Sequence, residues 1–157
     1  MVERKSKICI VGDAGVGKTS LVSLLQGRDI VKERTPTVGL DIEDSILSGK
    51  KCSIWDLGGQ ERFRFMWNDF LKSSGLTILV CDSTEKNVER TKEILERFSN
   101  HLGSKVIAIA NKQDLENSLH PENVEKMLGV RTYGMSAIRA DLRERMRNIL
   151  EYEFLNE

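Results

Sequence analysis

Apolar residues along the chain alternate between short continuous runs and stretches with helical spacing. Continuous runs such as 76–81 are typical of strands that are buried on both faces of a sheet. The helical stretches between such runs predict amphipathic helices, and the alternation favours an α/β fold with a mainly parallel sheet covered on both faces. The positions that this spacing assigns to the core are Val88, Thr91, Leu95, Phe98 and Leu102 in one helix and Ile138, Leu142, Met146, Ile149 and Leu150 in the last.

The pattern predicts a six-stranded, mostly parallel sheet and a single domain over residues 1–157. The turn Ser48-Gly49-Lys50 predicts that the second and third strands form an antiparallel hairpin. Pro121 and Gly129 are typical of the first turn and the end of a helix. The predicted strands are 7–11, 40–47, 51–55, 76–81, 105–110 and 130–134, and the predicted helices are 18–26, part of 62–72, 86–102, 121–128 and 137–152.

Charge and cysteine content argue against nucleic-acid binding, a disulfide framework and a zinc site. The chain has 24 Lys and Arg against 24 Asp and Glu, with a formal net charge of zero. Since affinity for a phosphate backbone comes from clustered basic residues, we expect no nucleic-acid partner. Cys9, Cys52 and Cys81 are widely spaced and form neither a disulfide framework nor a zinc-ligand spacing. This cysteine usage fits a reducing compartment, and we expect a cytoplasmic protein.

Membrane attachment is not encoded in any recognisable form. No apolar run approaches the length of a membrane span, and the N-terminal segment lacks the apolar stretch of a signal peptide. Residue 2 is Val2 rather than Gly, and no Cys follows Tyr152, so we expect neither a myristoyl nor a prenyl anchor. Any membrane contact is therefore expected to be indirect.

The segment Gly12–Thr19 fits the phosphate-binding pattern G-x-x-x-x-G-K-[ST], and it lies between a predicted strand and a predicted helix. Its glycines allow several backbone N–H groups to point at phosphate oxygens, and the following helix adds the positive end of its dipole. Lys18 is expected to reach the β- and γ-phosphates, and the Thr19 hydroxyl is expected to ligate Mg²⁺. The residues expected at the phosphates are Asp13, Ala14, Gly15, Val16, Gly17, Lys18, Thr19 and Ser20.

A second candidate segment follows the third predicted strand. Asp56 closes that strand, where an acid can hold Mg²⁺ through water. Gly59 leaves room for its N–H to contact a γ-phosphate, and Gln60 can orient an attacking water. Without a phosphate loop upstream, Asp56-Leu57-Gly58-Gly59 could equally be a solvated turn.

The sequence Asn111-Lys112-Gln113-Asp114 follows the fifth predicted strand and is suited to reading a guanine base. The Asp114 carboxylate offers two acceptors to the N1–H and N2–H₂ donors of guanine, whereas adenine offers no such pair of donors. Asn111 can bond the other edge of the purine, and the stem of Lys112 can lie along the ring. The two segments together predict a guanine-nucleotide site.

With these motifs the chain resembles the Ras superfamily of small GTPases along nearly its whole length. The elements follow the family order, namely Gly12–Thr19, Thr37 within Pro36-Thr37-Val38-Gly39, Asp56–Gln60, Asn111–Asp114 and Ser136-Ala137. Trp55–Gln60 and Ala110–Leu115 look most like Arf and Arf-like proteins, whereas Gly12–Leu21 looks more like Rab proteins.

The resemblance implies a P-loop G domain and a Mg²⁺-dependent switch that hydrolyses GTP slowly without an activating protein, on the order of 10⁻⁴–10⁻² s⁻¹. It implies that Thr37 ligates Mg²⁺ when a γ-phosphate is present. It also implies that the backbone N–H of Ala137, next to Ser136, contacts the guanine oxygen. The metal ligands expected on these grounds are Thr19, Thr37 and Asp56.

The same resemblance implies that effectors, exchange proteins and activating proteins bind the switch regions, around Thr37 and from Gly59 to Lys72. It predicts an exposed apolar cluster of Leu40, Trp55 and Phe70; the alternative is that Trp55 and Phe70 are core residues. The apolar segment from Phe63 to Trp67 adds to this surface.

Arg34 is a candidate catalytic residue beside Lys18 and Gln60. It lies three residues before Thr37, at the offset where heterotrimeric Gα subunits carry a built-in catalytic arginine. The alternative is that Lys32-Glu33-Arg34 is a solvated charge run in a loop.

Three functions remain open on the sequence alone. The first is a GTP-hydrolysing switch, which Gln60 favours. The second is a GTP-bound scaffold that hardly turns over, which Ala14 keeps open because many relatives have Gly, Ser or Asp there. The third is a P-loop nucleotide kinase or ATPase, against which Asp114 argues.

Overall fold

A computed structural model describes residues 6–29 and 36–155 of the chain. Within these residues, six strands form one sheet in the order β2-β3-β1-β4-β5-β6, and only the β2–β3 pair is antiparallel. The prediction of a mostly parallel α/β fold is therefore confirmed. The strands are β1 Ser6–Gly12, β2 Leu40–Leu47, β3 Lys50–Leu57, β4 Leu76–Cys81, β5 Val106–Ala110 and β6 Thr132–Gly134, and the helices are α1 Lys18–Leu25, α2 Trp67–Phe70, α3 Glu85–Arg97, α4 Pro121–Leu128 and α5 Arg143–Leu155.

Helices cover both faces of the sheet, because alternate residues of the buried strands point to opposite sides. Ile8 and Ile10 of β1 pack with α1 and α5 in one apolar cluster. Cys9 and Val11 of the same strand belong to the opposite cluster, with α2, α3 and α4. Among the described residues, no helix has the length and apolar character needed to cross a bilayer.

The β2–β3 hairpin forms where the sequence predicts it. Ser48 and Gly49 both have positive φ, at 51° and 75°, and the flanking Leu47 and Lys50 are paired in the ladder. Positive φ at both central residues matches the right-handed twist of the two strands. The hairpin places β2 at one edge of the sheet.

Three predicted helices differ from the observed ones. The last helix begins at Arg143 rather than at residue 137, after a 3₁₀ turn over Ala140–Leu142. Ile138 therefore lies outside the helix and is 43% exposed, so its assignment to the core was wrong. Helix α3 ends at Arg97 instead of residue 102. The segment 62–72 contains a 3₁₀ helix, Glu61–Met66, followed by the single turn of α2.

A buried carboxylate, that of Glu153, connects α5 to the end of the sheet formed by β5 and β6. Glu153 is fully buried, and its Oε1 accepts a hydrogen bond of 2.6 Å from the Tyr133 hydroxyl and lies 3.3 Å from Arg131 Nη1. Its Oε2 lies 2.9 Å from Lys105 Nζ. Burial by itself raises the pKa of this carboxyl, but the donors of Tyr133, Lys105 and Arg131 together hold the pKa below its usual range.

We predict that Glu153→Gln lowers the free energy of unfolding by about 2 kcal/mol or more at neutral pH, because Lys105 and Arg131 lose their shared counter-charge. Since the folded-state pKa is depressed, this contribution is present above the unfolded-state pKa of about 4.3 and is lost as pH falls through the folded-state value. Urea unfolding of both proteins at neutral and acidic pH measures the difference.

Glu151→Gln is the matched control on the same helix, since Glu151 lies 3.6 Å from Arg147 in a partly exposed pair. We expect it to cost no more than about 0.5 kcal/mol. Equal costs for the two variants, or a Glu153 difference that persists unchanged in acid, would contradict the assignment.

Candidate nucleotide-binding site

The carboxyl ends of the parallel strands meet at one edge of the sheet, and the loops that follow them surround a cavity of about 450 Å³. These loops follow β1, β3, β5 and β6, and Pro36 and Thr37 before β2 also line the cavity. The residues that line the cavity are Ala14, Gly15, Gly17, Lys18, Thr19, Ser20, Pro36, Thr37, Gly59, Asn111, Lys112, Asp114, Leu115, Ala137 and Ile138.

The phosphate loop joins β1 to α1 in the predicted position. Gly17 immediately precedes α1 in a left-handed conformation with φ 102°, which strains any other L-residue. A Cβ at this position would lie 2.2 Å from Asn111 Nδ2. The loop therefore needs glycine here both for its backbone conformation and for the close approach of the base-side loop.

Lys18 lies beneath the loop, at 6% exposure, and its Nζ donates a hydrogen bond of 2.9 Å to the backbone oxygen of Asp13. Burial lowers the pKa of Lys18 to about 8, although Asp56 and Asp13 favour its charged form. A buried ammonium of this kind is suited to contact an anion that enters the cavity.

Three oxygen-bearing side chains converge at the phosphate end of the cavity. Thr19 Oγ1 lies 2.9 Å from Thr37 Oγ1 and donates a hydrogen bond of 2.5 Å to Asp56 Oδ2. Thr37 Oγ1 lies 3.4 Å from the same Asp56 oxygen. Burial raises the pKa of the Asp56 carboxyl, whereas the hydroxyl of Thr19 and the charge of Lys18 act in the opposite direction.

This group fits a magnesium ion. Two hydroxyl oxygens and a carboxylate form a hard-oxygen donor set, which Mg²⁺ prefers. Asp56 is 3% exposed, and its Oδ1 has no hydrogen-bond partner among the described residues. A buried carboxylate oxygen without a donor requires a cation or a bound water.

Gly59 packs against the phosphate loop with no room for a side chain. A Cβ there would lie 2.5 Å from the oxygen of Gly12, 2.6 Å from Lys18 Nζ and 2.7 Å from the nitrogen of Ala14. The neighbouring Gln60 is not among the residues that line the cavity, and its Oε1 accepts a hydrogen bond of 3.2 Å from Arg62 Nε. The structure thus brings Gly59, but not the Gln60 side chain, to the cavity.

The Asn111 side chain forms hydrogen bonds within the protein, and these connect three loops. Its Nδ2 donates a hydrogen bond of 2.8 Å to the oxygen of Val16, and its Oδ1 accepts one of 3.0 Å from the N–H of Ala137. The Asn111 side chain is thus a link within the protein, and the Ala137 N–H is already used in that link. The expected direct contacts of both groups with the base stay predictions.

The base end of the cavity contains the acidic residue that the sequence predicts. Asp114 Oδ1 accepts a hydrogen bond of 2.6 Å from the Ser136 hydroxyl, which orients the carboxylate. Lys112 has a positive φ of 63°, and its Nζ donates a hydrogen bond of 2.8 Å to the oxygen of Gly15. Leu115 and Ile138 are exposed apolar residues that also line the cavity.

Sequence reasoning placed Asp13 at the phosphates but missed the two arginines that its side chain contacts. Asp13 Oδ1 pairs with Arg64 Nη2 at 2.9 Å, and Asp13 Oδ2 pairs with Arg90 Nη2 at 2.8 Å. Arg64 lies in the 3₁₀ helix and Arg90 in α3. Neither arginine belongs to a motif, and only the aspartate within the phosphate loop signals that a buried cation has to be near it.

The predicted apolar cluster of Leu40, Trp55 and Phe70 assembles beside the cavity, on the face that carries α2. The rings of Trp55 and Phe70 are 6.4 Å apart, and all three side chains are partly buried against the core. Lys7 Nζ lies 3.6 Å from the centre of a Trp55 ring. The cluster is therefore half-buried, which is intermediate between the exposed surface and the core positions that the sequence left open.

The side chains of the segment from Phe63 to Trp67 differ in their exposure to solvent. Phe65 is 74% exposed, whereas Trp67 is fully buried and packs 5.0 Å from the Phe98 ring. The assignment of Trp67 to a partner-binding surface was therefore wrong, because its indole is part of the core. Arg34, the candidate catalytic arginine, lies outside the described residues.

Comparison with known proteins agrees with this geometry. The model of the ADP-ribosylation factor (Arf) family matches residues 1–151. ADP-ribosylation factor K of Dictyostelium discoideum is 29% identical over 153 residues, which cover 88% of this chain and 80% of the relative. ADP-ribosylation factor-like protein 5 of Caenorhabditis elegans is 32% identical over 135 residues, 83% of this chain and 75% of the relative. The protein of that name in D. discoideum is 34% identical over 128 residues, 79% of this chain and 69% of the relative. Because the family model covers nearly the whole chain, the chain belongs to the Arf family of Ras-superfamily small GTPases and is a GTP-binding switch protein.

Proposed function

We propose that this protein binds GTP with Mg²⁺, hydrolyses it slowly, and binds effectors through its switch regions in the GTP state. The proposal rests above all on one observation. Thr19 and Thr37, which are hydrogen-bonded to the buried Asp56 carboxylate and suited with it to Mg²⁺, line the same cavity as Asp114, an aspartate suited to guanine. A cavity of about 450 Å³ is in the range of small-ligand and cofactor sites.

Each predicted residue has a role in this proposal. Thr19, Thr37 and Asp56 would hold Mg²⁺, which when bound neutralises charge on the phosphate oxygens. Lys18 and the N–H groups of the phosphate loop bind the phosphates, and Gly59 presents its N–H to the terminal one. Thr37 lies within hydrogen-bond distance of Thr19, which supports a switch arrangement suited to GTP.

The weakly hydrolysing scaffold remains the second candidate, and one contact favours it. Gln60 is hydrogen-bonded to Arg62 and does not line the cavity, so it has to turn inward before it can orient a water. If that turn is rare, hydrolysis is slow and the GTP state persists.

We predict that Asp114→Asn weakens GTP binding by about a hundredfold or more, because an amide N–H₂ replaces an oxygen that faces the guanine donors. Calorimetry on nucleotide-stripped protein with Mg²⁺ measures the affinities for GTP and ATP. Glu116→Gln is the matched control, an exposed acid two residues away, and should bind as the wild type does. Equal affinity of the wild type for ATP and GTP, or full GTP affinity in Asp114→Asn, refutes the base assignment.

We predict that Gln60→Leu lowers the rate of GTP hydrolysis by about tenfold or more in a single-turnover assay, because the group that orients water is lost. Gln26→Leu at the end of α1 controls for the substitution itself. Arg34→Ala is compared with Lys32→Ala in the same assay, and a slower rate only in Arg34→Ala supports a catalytic arginine. A Gln60→Leu rate equal to that of the wild type supports the scaffold instead.

The surface proposed for effectors combines Leu40, Trp55 and Phe70 with the exposed part of the neighbouring strand. Ile42 is 50% exposed and is paired with Trp55 across the β2–β3 ladder. Phe65 adds a further exposed aromatic ring on the chain that follows β3. Exposed apolar side chains such as Ile42 and Phe65 near a half-buried apolar cluster are typical of protein-binding surfaces.

We predict that Trp55→Ala abolishes capture of those proteins that the wild type retains with a non-hydrolysable GTP analogue but not with GDP. An aromatic residue at the centre of a contact surface contributes strongly to binding. Tyr152→Ala, at a 51% exposed tyrosine on α5, is the control. Unchanged capture by Trp55→Ala, with thermal unfolding confirming a folded protein, excludes this surface.

A further inference from the structure

We propose that Arg64 is a positioning residue, which fixes the Gly59–Gln60 peptide against the phosphate loop so that the protein distinguishes a nucleoside triphosphate from a diphosphate. The inference rests on the proposed GTPase function and assigns a role to a residue outside the family motifs described above. It is derived from the contacts of one buried guanidinium.

Arg64 connects two segments that flank the phosphate end of the cavity. Its Nη2 donates hydrogen bonds of 3.1 Å to the oxygen of Gly59 and 2.9 Å to Asp13 Oδ1, and its Nε lies 3.3 Å from the same Gly59 oxygen. The side chain is 8% exposed, and its guanidinium lies 5.4 Å from the Trp67 ring. A planar group with several fixed donors sets orientation as well as distance.

The hydrogen bonds to consecutive carbonyls determine where the next N–H groups point. In a trans peptide the C=O and N–H bonds point in opposite directions. Trp67 Nε1 donates a hydrogen bond of 3.1 Å to the oxygen of Gly58, which orients the N–H of Gly59. Arg64 holds the oxygen of Gly59, which orients the N–H of Gln60 and the start of its side chain.

Asp13 makes this arrangement part of the phosphate loop. It is 7% exposed, and besides Arg64 it pairs with Arg90 of α3 and accepts a hydrogen bond of 3.0 Å from the N–H of Ala14. The same carboxylate therefore contacts both the loop and the arginine that holds Gly59. Displacement of Gly59 from the loop would break the Arg64 link, so the position of Gly59 and the conformation of the loop are coupled.

The arrangement matters for the terminal phosphate rather than for the rest of the nucleotide. Among the described residues, Arg64 contacts neither Asp114 nor Asn111. The hydrogen bonds from Asn111 to Val16, from Ser136 to Asp114 and from the N–H of Leu21 to Gly17 do not involve Arg64. Gly59 is the cavity-lining residue that Arg64 holds. Without Arg64, Asp13 still pairs with Arg90 and still accepts the hydrogen bond from the N–H of Ala14, so we expect the loop to keep its conformation. Loss of Arg64 is therefore expected to spare GDP binding and to impair GTP binding.

The test uses the full chain, stripped of nucleotide and supplied with Mg²⁺, and the variants Arg64→Gln and Arg64→Lys. For each protein, calorimetry gives the affinities for GDP and for a non-hydrolysable GTP analogue, and single-turnover assays give the rate of GTP hydrolysis. We expect Arg64→Gln to lower the ratio of analogue affinity to GDP affinity, and the hydrolysis rate, by about tenfold each, with GDP affinity within about twofold. Arg64→Lys should not restore the ratio, because an ammonium lacks the guanidinium fork.

Arg97→Gln is the matched control. Arg97 of α3 makes an exposed ion pair of 3.3 Å with Glu61, which also lies 3.4 Å from Arg64 Nη1, but among the described residues Arg97 reaches neither Gly59 nor Asp13. It should leave the ratio and the rate unchanged. In the double variant Asp13→Asn/Arg64→Gln, the affinity ratio should fall by a smaller factor than the product of the factors in the two single variants. Both substitutions break the same Asp13–Arg64 contact.

The outcomes separate this inference from the proposed function. A wild-type chain that binds no guanine nucleotide overturns both. A wild-type chain that binds GDP and the analogue, with an unchanged ratio in Arg64→Gln, overturns only the role of Arg64. A fall in GDP affinity equal to the fall in analogue affinity indicates a merely structural role, as does full rescue by Arg64→Lys, and either result overturns the inference.

Discussion

The two hydrogen bonds of the Asn111 side chain are the interaction on which the cavity depends. They tie the loop after β5 to the oxygen of Val16 in the phosphate loop and to the N–H of Ala137 after β6. Asn111 is 2% exposed, so water cannot replace either partner without a large rearrangement. The phosphate end and the base end are consequently held at a fixed separation, which a ligand with a rigid base and a flexible phosphate chain requires.

The site contains several buried charged side chains, and most of their charged atoms have a hydrogen-bond or ion-pair partner among the described residues. Lys18 lies against a backbone oxygen, Asp13 lies between Arg64 and Arg90, and Asp56 shares one oxygen with two threonines. The unpaired oxygen of Asp56 is the exception. Buried charge of this kind contributes little net stability, and so it indicates a functional requirement more than a structural one.

The sequence predicted most of the fold and the chemical identity of the site, and the reasons for its failures are physical. Apolar runs predicted β4 with its exact bounds, because a fully buried strand leaves an unambiguous pattern. Ile138 was misassigned because it continues the helical spacing of Leu142 and Met146 although the chain turns before the helix begins. Periodicity describes which side of an element a residue faces, but it does not determine where the element starts.

Motifs predicted residues that line the cavity but not those that support them. Gly59 and Asp114 were predicted because their chemistry suits a phosphate and a base, and both line the cavity. Arg64, Arg90 and the internal role of Asn111 depend on contacts between segments far apart in the chain, and no local pattern encodes such contacts.

The β2 strand carries exposed Ile42 and Ile46 along the open edge of the sheet, a pattern that in a chain of zero net charge invites pairing with a second copy. Asp41 and Asp44 lie beside these isoleucines, and Glu43 of the same strand is ion-paired with Arg28. In an antiparallel pair of two such edges, like charges that come to lie opposite each other destabilise the pairing. We therefore expect local acidity, rather than the net charge of the molecule, to oppose fibre-like self-association at this edge.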